Sequence, residues 1–313
     1  MVADARLPLV VIAGFLGSGK TSCVEWLARQ PDKRGWAWVV NDFGDYDVDG
    51  RRLAAAGLEA VSVAGGSILC GCLGERFAGV MRSAVERHRA GEIDVLAMEV
   101  SGIARPSGVT GLLRDHNLTG VVRPAAVITL IDPGTVFLLK PHLAAVDDQI
   151  DSATHLVVNK QDLAAPGQVE AAVAALAAQN PSAEIVVTSG GRIGFSLEPA
   201  DISGRFEEKA AMTLPDPDFP RFSTRHDMPV DMGALAGELG AMAVFMHRAK
   251  GMLKGGDGCW WHVDVTPPGT VSMVRVNGMP PDGGGFVAIA RHDTPGPAQN
   301  LVRSLVDGRF SPE

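Results

Sequence analysis

The stretch that most constrains this chain is GFLGSGKT, residues 14–21, which directly follows the apolar run LPLVVIAGF (7–15) and opens a helix-like segment. A glycine-rich turn between strand and helix aims several backbone N–H groups at one point. The helix N-terminus adds the positive end of its dipole, so the two together cradle an anion. The pattern G-x-x-x-x-G-K-[ST] assigns Gly14, Gly17, Ser18, Gly19, Lys20, Thr21 and Ser22 to nucleotide binding. Lys20 would reach the β and γ phosphates and Thr21 would ligate Mg²⁺. The bland alternative is an incidental glycine turn; the agreement of pattern with strand-loop-helix context favours the phosphate loop.

Further short β-branched runs recur: WAWVVND (36–42), EAVSVAG (59–65), DVLAMEV (94–100), AAVITLID (125–132), HLVVNK (155–160) and EIVVTS (184–189). Near-continuous apolar strands alternating with helices predict an α/β fold of the P-loop NTPase type, a mostly parallel sheet with helices on both faces. Residues 166–180, PGQVEAAVAALAAQN, read as a helix with proline at its start. Polar and proline-rich texture from about 196 to 220 reads as a linker. The expected organisation is a P-loop domain over 1–200, a linker over 201–220, and a smaller C-terminal α+β domain over 221–313, with helices near 231–241 and 296–306.

Composition narrows the partners. At 313 residues with 46% hydrophobic and 20% charged residues, the chain is globular rather than disordered. A formal net charge of −8 argues against a nucleic-acid binder, which needs a basic face to displace counterions from phosphates. The N-terminal run, broken by glycines, reads as neither signal peptide nor membrane span, so no membrane partner and a cytoplasmic location are expected. Four cysteines (Cys23, Cys70, Cys72, Cys259) are too sparse for a secreted disulfide framework and are expected to be reduced.

Two further elements select the nucleotide. NKQD (159–162) ends an apolar strand as N-K-x-D should. The Asp162 carboxylate can accept two hydrogen bonds from guanine N1–H and its exocyclic amine, a donor pair adenine lacks. Asn159 and Lys160 would brace the loop and pack on the base. MEVSG (98–102) ends another buried strand, where an α/β sheet binds nucleotides. Glu99 would face Mg²⁺ and the attacking water, and Gly102 would offer its N–H to the γ phosphate, so Lys20, Glu99 and Gly102 are the candidate catalytic residues. Glu99 capping the next helix is the open alternative.

In this order, GFLGSGKT, NDFGDYDVDG (41–50), the paired cysteines, EVSG and NKQD resemble the motifs of the CobW-type P-loop GTPases. QIDSATHLVVNKQDL (149–163) keeps the family's register with Thr154 where an aspartate is usual, and HRAKGML (247–253) resembles its R-A-K-G segment. The resemblance implies a GTPase that needs Mg²⁺ and carries a transition metal, zinc or cobalt, for delivery to a client metalloprotein or the cobalamin pathway. A homodimer is one option for its assembly. The family's Cys-x-Cys-Cys falls here on Cys70, Gly71, Cys72 and Leu73, with Arg76 on its arginine, so the third thiol is missing.

Two thiolates one residue apart can converge on a soft cation, but a tetrahedral site needs two more ligands. Asp42 and Asp45, on the family's N-E-F-G-E element, are the candidates. An ion held partly by that element would feel the γ phosphate. Intrinsic hydrolysis is expected to be slow, since no arginine finger is identifiable. Cys23 reads as packing, and Cys259 with His262 as an improbable ligand pair if they share a strand. Two rival functions stay open: a GTP-switched docking protein with structural cysteines, and a small-molecule kinase.

Overall fold

The computed structural model describes residues 5–41, 60–63, 68–69, 73–139, 144–193, 201–202, 221–266, 270–276 and 283–290. Asp42, Asp45, Cys70, Cys72, most of the expected linker and the expected helix at 296–306 lie outside them. The chain divides into two compact units, one comprising Met1–Asn41 with Gly66–Asp216 and the other Asp42–Gly65 with Pro217–Glu313.

All seven runs read as strands in the first part of the chain are strands: β1 (Leu7–Ala13), β2 (Trp36–Asn41), β3 (Val61–Val63), β4 (Val95–Glu99), β5 (Val122–Ile131), β6 (His155–Val158) and β7 (Glu184–Val187). They form one sheet ordered β3-β2-β4-β1-β5-β6-β7. Every pairing from β2 to β7 is parallel. All five residues of β4 are buried, and so are nine of the ten in β5. Successive strand residues point to opposite faces, so both faces of this sheet are covered.

The covering helices are α1 (Lys20–Ala28), α2 (Gly74–Arg89), α3 (Gly108–Asp115), α4 (Ala144–Ser152) and α5 (Gln168–Gln179). Helix α5 begins two residues after Pro166 rather than at it. Gly167, at φ +80°, breaks the helical phase, and the Gln168 side chain accepts the Ala165 N–H at 2.8 Å, fixing the chain just before the helix. Thr154, the departure from the family register, joins β5 to β6 by both donating to and accepting from the Val127 backbone at 3.0 Å. Its hydroxyl thus extends the ladder.

The C-terminal part of the second unit carries an antiparallel five-stranded sheet, ordered β11-β10-β9-β12-β8. Its strands are β8 (Arg221–Arg225), β9 (Met246–Lys254), β10 (Trp260–Thr266), β11 (Thr270–Val276) and β12 (Gly285–Ala290). Helix α6 (Met232–Met242) is capped by Asp231, whose carboxylate accepts from the Gly233 and Ala234 amides. Leu235, Leu239 and Met242 of α6 share a core with Ala249, Leu253, Val263, Val265, Phe286 and Ala288 of the sheet. This is the α+β arrangement expected, with α6 where 231–241 was read as helix.

Candidate nucleotide site

The site lies at the C-terminal ends of β1, β4 and β6, the edge where a parallel sheet leaves its strand ends open to a ligand. Residues 14–19 turn sharply out of β1, with Gly14, Gly17 and Gly19 all at positive φ, a backbone region other residues seldom adopt. Lys20 and Thr21 then start α1. The buried Lys20 ammonium donates to the Gly14 carbonyl at 2.9 Å and the Phe15 carbonyl at 3.3 Å. It therefore sits folded over the loop whose amides would hold the phosphates.

The two residues read as Mg²⁺ ligands meet. Ile12 of β1 pairs with Glu99 of β4, and from that register Thr21 Oγ1 donates to Glu99 Oε1 at 3.1 Å. Glu99 is 2% exposed, and it does not cap α3, which begins at Gly108. A buried hydroxyl and carboxylate side by side are hard oxygen donors, which suits Mg²⁺ rather than a soft metal. Cys23, one turn into α1, is wholly buried; burial first and the Glu99 charge second push its thiol up and keep it protonated. It is a core residue, as read from the sequence.

Asn159 braces rather than waits. It is 2% exposed, its Nδ2 donates to the Ser18 carbonyl at 2.8 Å, and its Oδ1 accepts the Gly191 N–H at 2.9 Å. Lys160, at φ +58°, pairs with Asp132 at 2.8 Å. Asp162 follows on the exposed part of the same loop. The segment Thr188–Gly191 after β7 had not been picked out from the sequence. It closes this corner through the Gly191 bond and through Gln161 N–H to the Thr188 carbonyl at 3.2 Å. The signal available was the double glycine behind EIVVTS, which marks a strand-end turn.

At the other end, Asn41 Oδ1 accepts the Ile68 N–H at 2.8 Å, joining the end of β2 to the residues just before the cysteines. No group of three or more potential metal ligands occurs among the described residues. No helix among them is long and apolar enough to cross a membrane. Cys259 precedes β10 and His262 lies within it.

A parallel sheet with a phosphate loop, an acidic strand end and an N-K-x-D loop defines the P-loop GTPase class. The model of the CobW/HypB/UreG nucleotide-binding domain matches residues 8–187, and the chain belongs to this family. The zinc chaperone CobW of Pseudomonas aeruginosa is 27% identical over 221 residues, 60% of this chain and 58% of that protein. The zinc chaperone YeiR of Escherichia coli is 31% identical over 165 residues, 51% of this chain and 48% of that protein. The chain thus spans about half the length of the curated relatives it matches. The solved structure of Zn(II)-bound YjiA GTPase from Escherichia coli aligns over 98% of this chain and 99% of its own, at 18% identity and a TM-score of 0.45.

Proposed function

We propose that this chain binds and slowly hydrolyses GTP, and that turnover governs the capture and release of a transition metal destined for a client metalloprotein. The relatives' names favour zinc over cobalt as cargo. Lys20 and the amides of the 14–19 loop hold the phosphates, Asp162 selects guanine, and Asn159 and Lys160 keep that loop in place. Thr21 and Glu99 hold Mg²⁺, which when bound neutralises charge on the β and γ phosphates. Glu99 orients the attacking water, and Gly102 offers its N–H to the terminal phosphate.

The observation that carries the metal part of this reading is the Asn41–Ile68 hydrogen bond at 2.8 Å. Asp42 follows Asn41 directly, and Cys70 comes two residues after Ile68. Two thiolates with Asp42 and Asp45 would complete a four-ligand set for zinc. A loop that closes on the γ phosphate would assemble that set, and hydrolysis would open it.

Replacing both thiols, Cys70→Ser with Cys72→Ser, is expected to abolish stoichiometric zinc binding while guanine-nucleotide affinity is kept. Elemental analysis beside a fluorescent-GDP titration checks both. Zinc retained at one equivalent by the double variant would remove the cysteines from the site.

A further inference from the structure

We infer that Gln149 is a positioning residue that fixes the Glu99–Gly102 segment against the phosphate loop and so sets the discrimination between guanosine tri- and diphosphate. This rests on the nucleotide reading above and adds to it a residue that touches neither phosphate nor base.

Residues 100–107 connect β4 to α3 without strand or helix, yet this connection carries Gly102. Its main chain presses on the phosphate loop: a Cβ added at Gly102 would lie 2.7 Å from the backbone nitrogen of Leu16. Gly102 therefore sits directly against Leu16 of that loop. What holds this connection comes from α4. Gln149 is 1% exposed, and its Nε2 donates to the Gly102 carbonyl at 3.1 Å and to the Ala104 carbonyl at 2.9 Å. A primary amide has two N–H donors, and both are spent on this connection. The neighbouring Asp148 accepts the Ser107 N–H at 3.2 Å and also the Ser107 hydroxyl.

Helix α4 is itself anchored. Thr129 of β5 donates its hydroxyl to the Gln149 carbonyl at 2.7 Å. At the helix C-terminus, Asn180 donates to the Ile150 carbonyl at 2.8 Å and the Ala153 carbonyl at 2.9 Å. Burying an amide costs free energy unless its donors are satisfied, so an apolar side chain would serve better if packing were the sole need. Here the amide links an anchored helix to the irregular segment whose Gly102 N–H, in the proposed function, meets the terminal phosphate. GDP lacks that phosphate, so its binding should not sense the clamp.

Gln149→Met keeps the length and removes both donors, Gln149→Glu keeps the shape and replaces the donors with an acceptor, and Thr129→Val removes the hydroxyl that holds the Gln149 carbonyl. Affinities for a non-hydrolysable GTP analogue and for GDP, by fluorescence titration, are read beside thermal melts. Both Gln149 variants are expected to lower the ratio of GTP-analogue to GDP affinity about tenfold, as for one lost buried hydrogen bond, with GDP affinity held within about twofold. Thr129→Val, which loosens the backbone anchor of Gln149, should lower the ratio in the same direction and by a smaller factor. Equal weakening of both nucleotides, or an unchanged ratio in the folded Gln149→Met protein, overturns the inference. A wild-type protein that binds no guanine nucleotide overturns the proposed function, and this inference with it.

Discussion

Lys20→Ala is expected to reduce GTP affinity by at least about a hundredfold and to abolish phosphate release. A hydrogen bond to a charged group contributes roughly 1.5–3 kcal/mol, and an ammonium bridging two phosphates makes at least two, which gives about a hundredfold as the lower bound. The loss exceeds that of a surface lysine because the ammonium is already buried and held over the loop by the Gly14 and Phe15 carbonyls at 2.9 and 3.3 Å. Little side-chain entropy remains to be lost on binding. The same bonds imply a lower melting temperature in the nucleotide-free variant, since alanine leaves both carbonyls without the lysine's donors. Fluorescence titration with phosphate-release kinetics checks the first effect. Affinity unchanged in the folded variant would mean the phosphates lie elsewhere.

Asp162→Asn is expected to exchange base preference. Guanine presents N1–H and an amine, both donors, to a carboxylate that accepts both. Asparagine offers one acceptor and one donor, which matches xanthine, whose C2 carbonyl stands in place of the amine. GDP affinity should therefore fall about a hundredfold, the worth of a charge-assisted pair, while affinity for xanthosine diphosphate rises. The fold should be unaffected, because Asp162 is exposed and the loop is braced by Asn159 and by the Lys160–Asp132 pair. Competition of the two diphosphates for the variant measures the exchange directly. Unaltered preference for GDP would assign the base to another group.

The strands were legible because each is a short apolar run bounded by turn residues, and such runs stand out against helical spacing. The phosphate loop was legible because its glycines and lysine are fixed by local geometry. The tertiary clamps were not. Asn159 reaches Ser18 across 141 residues and Gly191 across 32, and Gln149 reaches Gly102 across 47. No periodicity encodes such pairs; only the assembled sheet, which brings the ends of β1, β4 and β6 to one edge, puts them within hydrogen-bond distance. Glu99 is the instructive intermediate case. Its place at a strand end suggested the crevice, but setting aside the helix cap and finding its Thr21 partner at 3.1 Å needed the β1–β4 register.

The proposed link between nucleotide and metal is the claim on which the biological reading depends, and zinc affinity measured in the two nucleotide states tests it most directly. Isothermal titration of zinc into protein saturated with Mg²⁺ and a non-hydrolysable GTP analogue should give an affinity at least about tenfold different from that of the GDP-saturated protein, a coupling of about 1.4 kcal/mol. The triphosphate form should bind tighter if loop closure assembles the ligands. Equal affinities in the two states would contradict the coupling.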